Sequence, residues 1–354
     1  MKVVQLLPAL NIGGVERGVI DLSRALVSHG HESIVISSGG SNVATIEKDG
    51  GKHYSLPPFS IWKLREIYEN EKPDIVHIRS RKPAWTNYFA YGLIKQKPIL
   101  VSTFHGMYQY PFLSQAMARV DHMIAVSNAV KEYILSSYTV DPDNITTIYR
   151  GCDPLIFNKT PLSQAWLDAW YQEFPQTKNK KILLLPARLS RWKGPECFID
   201  VIQGLKEDHS IHGLIVGPIA KSKQRFHKEL QNKIHSHGLQ DRITFTGGRN
   251  DIANIYKLSD IAYNLSLTPE PFGRTTIEAI SCGAQLIGWN HGGTKEILTS
   301  LFPQGLVAVQ DIPSLIKTTR YLLDNPDIKP ADHTFLSSKM VTETMHLYAK
   351  LINK

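Results

Sequence analysis

Four segments of this chain place chemically capable residues at turns that follow apolar runs. The most demanding is Thr268-Pro269-Glu270-Pro271-Phe272-Gly273-Arg274-Thr275-Thr276-Ile277-Glu278. Its two carboxylates stand eight residues apart across an expected helix start, Glu270 in the loop and Glu278 in the first helical turn. Each can accept hydrogen bonds from vicinal sugar hydroxyls. Thr275 to Glu278 also fits a capping box, which alone would account for Glu278 but not for Glu270 between two prolines. In Ala187-Arg188-Leu189-Ser190-Arg191-Trp192-Lys193-Gly194-Pro195, the flat fork of Arg188 and the compact charge of Lys193 can converge on one anion, a diphosphate for choice. A cation about 4 Å from a phosphate oxygen gains roughly 4 kcal/mol at an effective dielectric near 20. The bland alternative is a solvated basic turn. His105, after Val101-Ser102-Thr103-Phe104, ends an apolar run and is a candidate for hydrogen bonding or proton transfer, although it is one of 14 histidines. Gly13 and Gly14, with Glu16 behind them, open a turn in which backbone can approach a ligand closely and a helix start can face an anion. The glycines fall at 13, 14 and 18, so this is not the G-x-G-x-x-G spacing of a nicotinamide enzyme.

Parallel strands are the elements that would hold such turns at one edge. Apolar runs at Val3–Leu7, 33–37, 75–78, 99–104 and 123–126 alternate with amphipathic stretches, the first expected as a helix over 16–29. The alternation restarts at 181–186 and continues through 213–216, 243–245, 261–265 and 285–287. Continuous apolar strands between helical segments predict α/β layers with parallel sheets covered on both faces. The expected division is a domain over 1–170, a second over 171–335 after a polar linker near 160–180, and a last helix, 336–354, crossing back to the first domain. Two doubly wound domains of this kind face each other across a cleft, with ligands at the carboxyl ends of the strands.

Composition narrows the class further. With 42% hydrophobic and 20% charged residues the chain can bury cores and does not read as disordered. No apolar run is long enough for a bilayer span, and the N-terminus reads as a first strand rather than a signal peptide. Three scattered cysteines suit a reduced, cytoplasmic protein without a cysteine metal site. The net charge of +8 resides mainly after residue 175: 17 Lys+Arg face 16 Asp+Glu before it, and 23 face 16 after it. An anionic lipid, a phosphorylated small molecule or a nucleic acid would each suit that charge, but the cations are dispersed and no nucleic-acid motif is present.

Taken in order, these segments resemble the retaining glycosyltransferases of family 4, which have the GT-B fold of two Rossmann-like domains. Glu270 to Glu278 is similar to that family's Glu-x7-Glu motif, and Arg188 with Lys193 to its diphosphate pair. His105-Gly106 resembles its first-domain His loop, Gly13-Gly14 its glycine loop, Tyr149-Arg150-Gly151-Cys152-Asp153 its inter-domain segment, and Phe245-Thr246-Gly247-Gly248-Arg249 the strand and loop at the nucleobase. The resemblance implies that Arg188 and Lys193 neutralise the donor diphosphate and that Glu278 holds the ribose. It implies that Glu270 and the Phe272-Gly273-Arg274-Thr275 segment hold the transferred sugar. Gly217 and Arg249 would line the nucleotide pocket, His105 would bond the donor sugar, and Gly13-Gly14 would sit by the phosphates and the acceptor. Two departures stand out: Arg150 replaces the family's Asn, taken as neutral, and Gly106 stands where many relatives carry Asp.

The function this implies is metal-independent, retaining transfer of a sugar from a nucleotide-diphosphate sugar to a hydroxyl of a glycan or lipid-linked acceptor, in cell-envelope or lipopolysaccharide synthesis. No cofactor is expected. Asp141-Pro142-Asp143 is the one Asp-x-Asp and reads as a loop rather than a metal site. A nucleotide-sugar epimerase of the same architecture is the alternative. For the acceptor, the candidates are Glu16 and, beside Trp85, the cationic stretch of Arg79, Arg81 and Lys82, which suits an anionic glycan, with a solvated helix start as the competing reading. The aromatic segments 59–64 and 108–113, and the basic run 221–225, could touch an anionic membrane surface from the cytoplasmic side.

Overall fold

The computed structural model describes residues 1–11 and 13–354, and the chain divides into two compact units, Met1–Gly151 with Phe335–Lys354, and Cys152–Thr334. Residues 152–170 thus cluster with the second unit rather than the first. The segment expected as a linker carries a helix, Gln164–Glu173, N-capped by Ser163, whose hydroxyl accepts from the Trp166 N–H at 3.3 Å.

The first unit is a seven-stranded sheet of β1 (Lys2–Leu6), β2 (Glu32–Ser37), β3 (Lys52–Ser55), β4 (Ile75–Ile78), β5 (Ile99–Phe104), β6 (His122–Ala125) and β7 (Ile145–Thr147). Every ladder is parallel and the order is β3-β2-β1-β4-β5-β6-β7. The direction of strand addition therefore reverses between β1 and β4. The helix Gly14–Ser28 buries Val19, Leu22 and Leu26, three and four residues apart, on one face. The helix Ser337–Ile352 closes the same core: Val341, Leu347 and Tyr348 pack with Val3, Leu22, Leu26, Ile75, Val101 and Ile124.

The second unit is a six-stranded parallel sheet of β8 (Lys181–Pro186), β9 (Ile211–Val216), β10 (Ile243–Gly247), β11 (Ile261–Asn264), β12 (Gln285–Trp289) and β13 (Leu306–Val307). Its order is β10-β9-β8-β11-β12-β13, so the reversal falls between β8 and β11. β9 is buried at every position and β8 at all but its first residue, as a parallel sheet covered on both faces requires. The expected two-domain α/β architecture is thus present. The strands at 52–55, 145–147 and 306–307 go beyond the sequence expectation. No helix among the described residues is long and apolar enough to cross a membrane.

Candidate active site

The two strands flanking the reversal of the second sheet carry the charged loops. After β8 the chain runs through Arg188 to a short 3₁₀ turn at Arg191–Lys193, then to the helix Pro195–Gly204. Gly194 makes that corner with φ 69°, and a Cβ there would run into the Leu265 carbonyl. Pro195 sits at the first helical position, where a missing N–H costs nothing. After β11 the chain runs through Ser266 to Glu270. The Lys193 ammonium pairs with Glu270 Oε1, to which the Ser266 hydroxyl donates at 2.5 Å. Glu270 is 8% exposed, so this is a largely desolvated charge pair. Lys193 also lies 4.0 Å from the centre of the Trp192 ring. Arg188 is exposed and holds no side-chain hydrogen bond or ion pair among the described residues. The loop after β8 thus carries a free guanidinium five residues before the lysine of a partly buried ammonium–carboxylate pair.

The second carboxylate is placed differently from expectation. The helix Arg274–Ser281 begins after Gly273, whose φ of 92° sets the corner, and no side chain caps it. Glu278 is therefore its fifth residue and lies beyond the first turn. The capping box is not formed, because Gly273 rather than Thr275 occupies the cap. Glu278 instead accepts from Arg274 Nη2 at 3.0 Å. Burial raises the Glu278 carboxyl above its usual range, against the opposing pull of the Arg274 guanidinium. Thr275 and Thr276 hydroxyls lie 3.4 and 3.1 Å from Asn264 Nδ2 at the end of β11. Phe272 is buried, and a Cβ on Gly293 would strike its backbone.

Gly217 follows β9 so closely under the loop after β8 that a Cβ would meet the Ala187 carbonyl, and its N–H donates to Gly247 O at 2.9 Å. Arg249 is engaged elsewhere. Its Nε and Nη2 donate to Asp251 and its Nη1 to both oxygens of Glu173, all at 2.9 Å, with Trp170 5.7 Å away. Two residues not singled out in the sequence support Glu270: Ser266, and His291, whose Nε2 lies 2.7 Å from Ser266 O. Neither has a sequence signal, since both act through partners distant in the chain.

In the first unit the candidates also gather at the carboxyl edge. Gly13 precedes the helix Gly14–Ser28, and a Cβ on it would run into the Glu16 carboxylate in the first turn. Ile12 of that loop lies outside the described residues. His105 directly follows β5. Burial, then the charges of Arg150 and Arg79, push its imidazole well below the ordinary histidine range, so it is neutral at physiological pH. The cationic stretch after β4 is split three ways. Arg79 is buried, Arg81 lies over the Tyr108 ring at 4.6 Å, and Lys82 is exposed at the rim of a 230 Å³ pocket with Pro57, Phe59 and Pro83. A uniformly solvated helix start is thus not what forms. Arg150, taken above as a neutral replacement, is buried and bonds the Gly14 carbonyl through Nη2. Asp141 caps a 3₁₀ turn at Pro142–Asn144, and no cluster of three or more His, Cys, Asp or Glu suited to a metal occurs among the described residues.

Residues 12–154 match the model of Glycosyltransferase Family 4, and residues 168–334 match that of Glycosyl transferases group 1. A glycosyltransferase structure from Rickettsia africae superposes with a TM-score of 0.86 at 30% identity, covering 100% of this chain and 98% of that one. Spore coat protein SA of Bacillus subtilis is 27% identical over 310 residues, 81% of this chain and 78% of its own length. HepE of Anabaena, solved with UDP-glucose, has a TM-score of 0.79 at 20% identity over 100% of this chain and 99% of that one, a likeness of fold. None of these findings lends support to the epimerase alternative. The chain belongs to the family 4 glycosyltransferases and has their GT-B fold.

Proposed function

We propose that this glycosyltransferase moves a sugar from a nucleotide-diphosphate sugar to a hydroxyl of a glycan or lipid-linked acceptor, with retention of anomeric configuration, in the synthesis of a cell-envelope glycan on the cytoplasmic side of the membrane. The observation that carries the reading is the partly buried Lys193–Glu270 pair, with the unpartnered Arg188 on the same loop as Lys193, at the strand reversal of the second sheet. The UDP-glucose bound by HepE is the model for the donor. As the bond from the anomeric carbon to the diphosphate oxygen breaks, negative charge grows on the leaving group. Arg188, Lys193 and the start of the helix Pro195–Gly204 supply positive potential there, so the proposal invokes no metal. The acceptor oxygen bonds to the anomeric carbon, and its proton passes to the departing diphosphate. Glu270 and Glu278 hold hydroxyls of the donor.

The test is a thermal-shift panel of nucleotide sugars, followed by transfer assays of Lys193→Ala. A matching donor raises the melting temperature by native-state binding. The substitution lowers transfer about 100-fold or more, as loss of one preorganised charge does. Transfer near the wild-type rate overturns the role of Lys193, and absence of any stabilising nucleotide sugar overturns the donor.

A further inference from the structure

Residues 75–120 contain no Asp or Glu, although the whole chain carries 32 in 354 residues. The same stretch holds six lysines and arginines and eight aromatic residues. It folds into β4, the helix Arg81–Gly92, β5 and a 3₁₀ turn at Pro111–Ser114 that leads into a short helix. A helix laid on a sheet ordinarily turns apolar residues inward and polar ones to water. In Arg81–Gly92 polar residues are among those turned inward. Thr86 and Asn87 are buried, with Asn87 Oδ1 accepting from the Tyr68 hydroxyl at 2.8 Å, while Tyr88 and Phe89 are exposed.

The exposed rings belong to one surface. Trp85 meets Tyr88 and Phe89 at centroid distances of 5.8 and 6.2 Å, and its Nε1 donates to the Leu113 carbonyl at 2.8 Å. That bond holds the turn Pro111–Ser114 against the helix, with Phe112 66% and Leu113 48% exposed. Cations border this surface. The Arg119 guanidinium lies 5.0 Å from the centre of the Tyr88 ring and donates to its hydroxyl at 2.8 Å. Lys95 and Lys97 are exposed just beyond the helix, and Lys82 at its start shares a pocket with the exposed Phe59.

Exposed Phe and Leu among unopposed cations restrict what can cover them. A contiguous apolar surface left in water forgoes its transfer free energy and marks an interaction site. A second copy of the chain would set cations against cations, with no carboxylate in the stretch to pair them. An anionic bilayer suits both parts. Aromatic rings seat at the boundary of headgroups and acyl chains, and Lys and Arg lay their stems on apolar surface while their heads meet lipid phosphates. The basic run at 221–225 has no apolar residue, and Arg225 pairs with Glu229 at 3.3 Å, so it offers charge without an anchor.

We propose that the helix Arg81–Gly92 and the turn Pro111–Ser114 form a docking face for an anionic lipid bilayer, with Phe89, Phe112 and Leu113 seated in its interface. The face itself uses none of the donor chemistry; that it brings the enzyme to a lipid-linked acceptor rests on the transfer reading above.

The experiment sediments the full chain with equimolar phosphatidylcholine–phosphatidylglycerol vesicles and with phosphatidylcholine vesicles. It compares wild type with Phe89→Ser/Phe112→Ser, Lys95→Gln/Lys97→Gln and the control pair Lys221→Gln/Lys223→Gln, all at exposed positions. Melting temperatures establish that each variant folds, and Leu113→Ser replaces the serine pair if that pair does not. The expected result is binding to the anionic vesicles that the serine pair weakens about tenfold or more, that the glutamine pair at 95 and 97 weakens about fivefold per charge lost, and that the control pair changes by less than about twofold. No binding to anionic vesicles, equal binding to neutral ones, or an equal loss in the control pair overturns the face. A dimer that the serine pair dissolves, without vesicle binding, gives the face to a second copy and overturns the proposal. Binding of a single-stranded oligonucleotide that the serine pair abolishes, again without vesicle binding, does the same in favour of nucleic acid. The nucleotide-sugar panel on the same protein separates the two readings. Vesicle binding without a stabilising nucleotide sugar keeps the face and removes the donor, whereas stabilisation without vesicle binding keeps the donor and removes the face.

Discussion

At the scale of single residues, the second unit's chemistry depends on corners that only glycine can turn. Gly194 combines a φ of 69° with contact against the Leu265 carbonyl, so Gly194→Ala is expected to cost about 1–3 kcal/mol. It also displaces Lys193, the preceding residue, from Glu270. Chemical denaturation measures the first effect. A loss of donor affinity larger than that of Gly238→Ala, a glycine of positive φ in open space, measures the second. Much of this site is legible in the residues alone: the spacing of Arg188, Lys193, Glu270 and Glu278 marks four positions that the fold sets on two loops and one helix. What is not legible is their pairing. Nothing in the order of residues says that Lys193 meets Glu270, that Glu278 turns to Arg274, or that Arg249 is held by Glu173 and Asp251, because each contact is decided by where a helix begins or a distant strand lies. Arg150 is the clearest case, since its burial against Gly14 and Gly18 joins residues more than 130 positions apart.

At the scale of elements, the strands that sequence reveals are the interior ones. β4, β5 and β8 are read to the residue, because burial on both faces demands a continuous apolar run. Lys52–Ser55 has no such run. Its residues are half-buried or exposed, and it is a strand because β2 offers it a ladder. β9 also extends further back than its apolar core suggests, taking in a buried histidine. His212 sits beside Thr244, which accepts from Gln176 at 2.9 Å and lies 2.9 Å from His212 Nε2. Burial first, then Arg242 and Lys180, lower His212 to about 4. The unfolded chain binds this proton more readily than the folded one between the ordinary histidine value and about 4. Stability is therefore full above pH 6.5 and declines as the pH falls through that window. At roughly 1.4 kcal/mol per pKa unit, the loss amounts to about 3 kcal/mol. His212→Gln is expected to flatten this part of the acid limb of a stability–pH curve, and an unchanged slope would refute the assignment.

At the scale of the molecule, the division into units makes distinct demands on the chain. Cys152–Thr334 is one continuous stretch with its own sheet, core and charged loops. A fragment of these residues is expected to unfold cooperatively and to gain stability from the same nucleotide sugar as the full chain. Calorimetry with and without that ligand checks it, and a fragment that shows no transition speaks against an independent unit. A fragment of 1–151 is expected to fare worse. It lacks Val341, Leu347 and Tyr348 from the core, and the Tyr348 hydroxyl that bonds His77 Nδ1.

That final helix bears on how the protein is made. Translation delivers β1 to β7 first, yet the segment that covers Val3, Leu22 and Val101 leaves the ribosome only after the whole of the second unit has emerged. The half begun first is thus the half finished last. For the intervening 183 codons it presents an open apolar bed to chaperones and to neighbouring nascent chains.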